Sequence, residues 1–281
     1  MSKRGSHCLG VHEDAGAGHH DRCNAAHRAA FSLIDVLVSI SVIAILLAIL
    51  APSLSGVIES ARRVSCQSIM RQVGLGLIMW ADDNNGNLPA SVFAEIDPLG
   101  EEPQNMMLLH LGEQDPTNWD GLGFLVRDEY LTAWPVFYCP SHRGNHPINR
   151  YEDSWSMLGA ELVANYQYRT LPYDQLALSQ LPKDFTLLSD GLRTQLDYNH
   201  QVGANTLKAD LSVMWYDDQA RYVVSQLPTT DGDKHFGLNT QYGPWASLDE
   251  GEPVLPPSTP GIDDPDASMV LGGAYGMTSR D

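Results

Sequence analysis

The sequence predicts an α+β protein: a long N-terminal membrane-spanning helix continues into an amphipathic stem, which packs on an antiparallel sheet. Three observations predict this. The stretch "AAFSLIDVLVSISVIAILLAILAP", Ala29 to Pro52, is apolar enough and long enough to cross a bilayer. Apolar residues then recur three or four apart as far as Trp80. Further on come short segments rich in β-branched and aromatic residues, bounded by turn-forming ones.

The run Val36 to Ala51 carries no charge, and with Phe31 to Asp35 it reaches 21 residues, about 30 Å of helix. Lys3, Arg4, Arg22 and Arg28 precede it. That bias predicts a single pass through the inner (cytoplasmic) membrane, with the N-terminus cytoplasmic and the C-terminal body outside. A cleaved secretory signal fits less well, because the run is too long and "APSLSGV" leads straight into more helical pattern. A plain signal anchor explains length and orientation but has no use for Asp35, a carboxylate inside the span. The formal net charge of -18 lies mostly beyond residue 30. A body this acidic repels nucleic acid and anionic lipid, so nucleic acid is not an expected partner.

"FSLIDVLVSISVIAILLAILAP" resembles the N-terminus of type IV pilins and type II secretion pseudopilins. In that family the leader ends at a small residue, the mature chain starts with Phe and an acidic residue stands fifth. Counted from Phe31, Asp35 is fifth and Pro52, where the family often has a kinking proline, is twenty-second. The chain departs from the family in having Ala30 where Gly is usual and Asp35 where Glu is usual. The resemblance implies cleavage between Ala30 and Phe31 by a prepilin peptidase, N-methylation of Phe31, and assembly through the helix, with Asp35, beside other pilin or pseudopilin subunits. It thus divides the chain into leader 1–30, transmembrane helix 31–52, stem 53–83, extracytoplasmic head 84–250 and a Pro-rich acidic tail 251–281.

The stem pattern runs through Leu54, Val57, Ile58, Ala61, Ile69, Val73, Leu77 and Trp80. It should stop at "DDNNGN", Asp82 to Asn87, where Asn and Gly supply left-handed turn geometry. The same residues look superficially like a calcium loop, but the late bidentate Glu of an EF-hand is missing. Residues 91 to 118 read as an irregular loop. Within "GLGFLVRDEYLTAWPVFYCPS" the pattern predicts a short helix around Phe124 to Tyr130 and a strand near Val136 to Cys139. "LVANYQYR", "FTLLSD", "GANTLKA", "LSVMWYD" and "ARYVVSQL" are further predicted strands.

"NHQVGANTLKADLSVMW" places His200, nine residues and then Asp210. This is similar to a C-terminal signature, His, nine residues, Asp-Gly, of prepilin-like proteins common in planctomycete-type bacteria; "ARRVSCQSIMRQVGLGL" and "FYCPS" resemble that group's other recurring segments. This chain has Leu211 where the group has Gly. His200 and Asp210 have a functional reading, a metal or catalytic pair, and a structural one, a hairpin tied by polar side chains. The structural reading is favoured because a metal wants three or four convergent ligands and no third is apparent at a telling spacing.

Four cysteines, Cys8, Cys23, Cys66 and Cys139, are too few for a disulfide-built scaffold. Cys66 and Cys139 both follow the span, so they are a possible stem-to-head disulfide, worth about 4 kcal/mol in the chain-entropy account, or else two buried thiols. The leader's His7, Cys8, His12, His19, His20, Cys23 and His27 fit no compact ligand spacing. No metal or other cofactor is therefore expected. An enzyme built on Asp153, Asp190, His200 and Asp210 would lack a nucleophile elbow, phosphate loop or HExxH motif. A membrane-anchored binding module using Trp119, Trp134, Trp155, Trp215 and Trp245 is the other alternative. The expected function is that of a non-enzymatic pilin-like structural subunit of a type II secretion pseudopilus or type IV pilus.

Overall fold

The computed structural model describes residues 32–97, 106–169, 177–230 and 243–254. The chain forms two compact units, Met1–Pro52 and Ser53–Asp281. Helix α1, Leu33–Asp83, runs for 51 residues and so passes through Pro52. In the first unit its segment Leu33–Ala51 has a mean hydropathy of 2.9, long and apolar enough to cross a membrane, and none of it is buried. Asp35 stands in the first turn, exposed, and its carbonyl accepts a hydrogen bond from Ser39 Oγ.

In the second unit α1 becomes a core helix at Cys66. Cys66, Met70, Val73, Leu77, Trp80 and Ala81 are buried; steps of three and four from Cys66 to Trp80 make one stripe, and each large apolar side chain fully buried there stabilises by about 1.5–3 kcal/mol. Leu54, Val57 and Ile58, expected on the same packed face, are exposed instead. The helix ends where "DDNNGN" predicts. Asn85 and Gly86 adopt φ of 59° and 82°, Gly86 N donates to Ala81 O, and Asn84 Nδ2 caps Trp80 O.

The strands form two antiparallel sheets. β1 (Leu108–Leu111) pairs with β2 (Glu161–Val163), and β3 (Tyr166–Tyr168), β4 (Thr186–Asp190), β5 (Gly203–Lys208) and β6 (Val213–Asp217) follow one another as a four-stranded meander. Both faces of the meander are covered, which is why β4 and β5 are buried along their whole length. One face meets the α1 stripe through Leu187, Leu188 and Leu207. The other meets Val223, Val224, Trp245 and Leu248 from two short helices, Tyr222–Gln226 and Pro244–Glu250.

A register shift in β4 between Thr186 and Leu188 has a consequence for chemistry. Thr186 faces Lys208, whose ammonium also reaches Leu248 O at the end of the helix Pro244–Glu250. Past the shift, Leu188 and Asp190 face α1. A bulge of this kind re-aims every following side chain.

Further sequence expectations also differ from the structure, and the segment "LVANYQYR" holds two strands, β2 and β3, in separate sheets. "ARYVVSQL" holds a helix, Tyr222–Gln226, because both carboxylate oxygens of buried Asp218 accept the amides of Val223 and Val224, and Arg221 at φ 57° breaks any extended run. The predicted strand near Val136 to Cys139 is instead mostly a 3₁₀ turn, Trp134–Phe137, since Pro135 cannot donate to a ladder. The predicted loop 91–118 contains β1. Ala30 and Phe31, the rest of the leader, residues 231–242 and the tail from Leu255 lie outside the described residues.

Candidate functional site: a buried cysteine, histidine and aspartate cluster

Four elements of the second unit bring Cys66, Cys139, Asp190 and His200 together, with one potential ligand atom from each lying within 4.8 Å of the others. Cys66 comes from the buried stripe of α1. Cys139 follows the 3₁₀ turn Trp134–Phe137, Asp190 ends β4 beyond its bulge, and His200 lies in the turn before β5. All four are buried: Cys66 and Asp190 completely, Cys139 and His200 to within 5%.

The contacts are directional. Cys139 Sγ lies 3.8 Å from His200 Nε2, and Asp190 Oδ2 lies 3.5 Å from the same nitrogen. The other ring nitrogen, Nδ1, is 2.6 Å from Glu59 Oε1, and Ser141 Oγ donates to that carboxylate at 2.9 Å. Tyr166 Oη donates to Cys66 Sγ at 3.4 Å. Asp190 Oδ2 accepts from the backbone N and Nδ2 of Asn205, and Oδ1 accepts from Asn199 Nδ2. Asn205 Nδ2 also lies 3.2 Å from His200 Nε2. Asn199 Oδ1 in turn meets His142 Nδ1 at 2.7 Å, and His142 leads to Asp197, which Arg193 and Thr194 hold.

Proton affinities follow from these neighbours. The Cys139 thiol beside it pulls Cys66 down to about 7, against burial and with help from His200. Burial pushes the Cys139 thiol up. Burial also pushes Asp190 up, against the charge of His200 and the amides of Asn205 and Asn199. For His200 burial acts downward, but the hydrogen bond with Cys66, the charge of Asp190 and the Glu59 carboxylate outweigh it and raise the ring to about 9. The surroundings of His200 are anionic and call for positive charge.

His200 and Asp210, paired by sequence spacing, are not together. Between them β5 is extended, and the five steps of about 3.3 Å along its six residues set its ends roughly 17 Å apart. Asp210 is an exposed turn residue whose Oδ1 accepts from Ser212 N and Oγ. Leu211, in place of the group's Gly, takes φ 67°, so this hairpin does use left-handed geometry and holds it with a leucine. Cys66 and Cys139, a possible disulfide, are neighbours as two free thiols.

Glu59 is the member sequence reasoning missed. It stands on the same face as Cys66, Met70, Val73 and Leu77, at helical spacings of seven, four, three and four. A carboxylate on the face that buries is the signal that could have found it. Of the enzyme candidates, Asp190 and His200 meet, while Asp153 and Asp210 are exposed elsewhere. Of the tryptophans, Trp245 is fully buried, Trp134 stacks on Trp155, Trp215 lies under the Arg63 guanidinium, and Trp119 and Trp155 line a surface cavity with His110 and Leu158.

No protein-family model, curated protein or solved structure matches this chain.

Proposed function

We propose that the chain is a pilin-like structural subunit, held in the inner membrane by α1 with its N-terminus cytoplasmic. It is trimmed between Ala30 and Phe31 by a prepilin peptidase, methylated at Phe31, and assembled through the helix into a type II secretion pseudopilus or a type IV pilus. The observation that carries this reading is the division of α1. From Leu33 to Ala51 its apolar side chains are all exposed, whereas from Cys66 the helix is part of a head core.

So large an apolar surface is not stable in water and needs lipid or the helices of other subunits. Lipid alone does not suit Asp35, because an ionised carboxylate within a span costs several kcal/mol unless paired. No Lys or Arg occurs between Phe31 and Arg62. Cleavage before Phe31 creates the missing cation, an α-amino group at the same membrane depth, on this chain or its neighbour. Burial of the Cys66, Cys139, Asp190 and His200 cluster supports a structural rather than a catalytic head, since no substrate reaches it.

The test is N-terminal sequencing of protein recovered from membranes, together with two variants. A start at Phe31 supports the reading, and an intact Met1 refutes it. Asp35→Ala is expected to insert and be cleaved but to assemble poorly, while Asp35→Glu assembles at least as well as the parent. Normal filaments from the Ala variant would show that the carboxylate does not pair subunits.

A further inference from the structure

We propose that Cys66, Cys139, His200 and Asp190 bind a divalent metal ion of the zinc class, which fastens α1 to the sheet of the head. The proposal is independent of pilin-like assembly. Its basis is the donor set and its geometry. Two sulfurs, one imidazole nitrogen and one carboxylate oxygen converge on one another, and the two cysteines belong to the same buried apolar cluster as Met70, Val73, Tyr166, Leu188 and Leu207. Such groups are costly to bury without compensation, and a cation at their centre would compensate all four.

The number and kind of donors match. Structural zinc takes four ligands, with metal distances of about 2.3 Å to sulfur and 2.0–2.2 Å to nitrogen and oxygen, so the ligand atoms of a tetrahedron stand about 3.4–3.8 Å apart. Here Cys139 Sγ to His200 Nε2 is 3.8 Å and His200 Nε2 to Asp190 Oδ2 is 3.5 Å, already edges of that size. The remaining pairs lie within 4.8 Å, so shifts of at most about 1 Å close the cage. Two thiolate donors favour zinc over calcium or magnesium, which take oxygen.

The outer contacts are those of a metal-bound histidine. Glu59 receives His200 Nδ1 at 2.6 Å, which fixes the ring and leaves Nε2 directed at the cluster. Metal-binding histidines commonly place a carboxylate there. Ser141 steadies Glu59, and Asn199 and Asn205 steady Asp190, so no ligand depends on the metal alone for its orientation. A cysteine nucleophile with a histidine base is the rival use of these residues. It requires access, and all four are buried.

The experiment uses the full chain, extracted in detergent after growth with zinc and dialysed against a weak chelator. Metal analysis is expected to find one zinc per chain, and His200→Ala and Cys139→Ser to be substoichiometric. Because either variant can simply fail to fold, three further measurements apply. His200→Cys, which restores four donors, is expected to retain the metal. Glu59→Gln is expected to bind zinc about 10- to 100-fold more weakly with the head still folded. Cobalt(II) in the parent is expected to give tetrahedral visible bands with thiolate charge-transfer absorption, weakened in Cys66→Ser. A folded parent that carries no zinc and gives no such cobalt spectrum would overturn the proposal, as would recovery of Cys66 and Cys139 joined as a disulfide.

Discussion

Gly74 of α1 lies against Leu207 of β5, and replacing it with valine tests how the two are fitted. A Cβ at Gly74 would stand 3.1 Å from Leu207 Cδ1, 3.3 Å from Cδ2 and 3.6 Å from Leu211 Cδ2. Both methyls of Leu207 are close, so turning that side chain relieves one contact only by tightening the other. Any residue but proline gains helix propensity over glycine, at most about 1 kcal/mol. Valine gains less than this and adds two more methyl groups in a rigid branch, so overpacking of about 1–3 kcal/mol wins. Leu207→Ala alone, at a fully buried site, is expected to lose about 2–5 kcal/mol. In the double variant the valine methyls enter the space that Leu207 vacates, so the losses should fall short of their sum by at least about 1 kcal/mol. Denaturant unfolding of the four proteins in detergent, followed by tryptophan fluorescence, measures the cycle. Additivity within about 0.5 kcal/mol would refute the close packing of α1 on β5.

Asp218→Ala, which strips the amides of Val223 and Val224 of their shared acceptor, should lose about 2–4 kcal/mol in the same assay, and Asp218→Asn less, since one oxygen still accepts. An unchanged midpoint for the Ala variant would show that Tyr222–Gln226 is held by packing alone. Burial raises Tyr138, Tyr166, Tyr168, Tyr198, Tyr222 and Tyr216, the last to about 12. The unfolded chain releases these protons near pH 10 while the folded chain keeps them, so stability should fall as pH rises beyond about 10. Lys208, lowered by burial, acts in the opposite sense but is one group against these tyrosines. A denaturation midpoint that stays level to about pH 12 would contradict this sum.

What the sequence made legible was local. The apolar run, the stop at Asn85 and Gly86, and strands β3 to β6 each follow from residues within a few positions of one another. The misread segments are those where distant or unusual neighbours decide. Tyr222, Val223 and Val224 have strand propensity, yet buried Asp218, four to six residues upstream, supplies helix-starting acceptors that no propensity contains. The cluster was illegible for a stronger reason. Its members come from positions 66, 139, 190 and 200, and only the packing of α1 across the sheet and the bulge in β4 point them at one another. The one short-range hint, His200 followed by Asp210, led to the wrong partner because a strand separates its own ends. Asp190, ten residues before His200 and across the turn that joins β4 to β5, is the carboxylate that meets it.

The position of the cluster along α1 explains why polar contacts are used there. Upstream of Cys66 the apolar residues Leu54, Val57, Ile58 and Val64 are exposed, so hydrophobic burial does not hold those turns. Glu59 and Arg63 do so instead: Glu59 reaches Ser141 and His200, and Arg63 lies 4.2 Å over Trp215. An apolar stripe by itself is forgiving of register, since side chains one turn apart are similar in size and a helix can ratchet by one turn past its neighbour. A thiol and an imidazole at fixed distances are not forgiving, because a shift of one turn, about 5.4 Å, would take the Cys66 thiol from Tyr166 and the Glu59 carboxylate from the His200 ring. The cluster therefore specifies which residue of α1 is the first to enter the head.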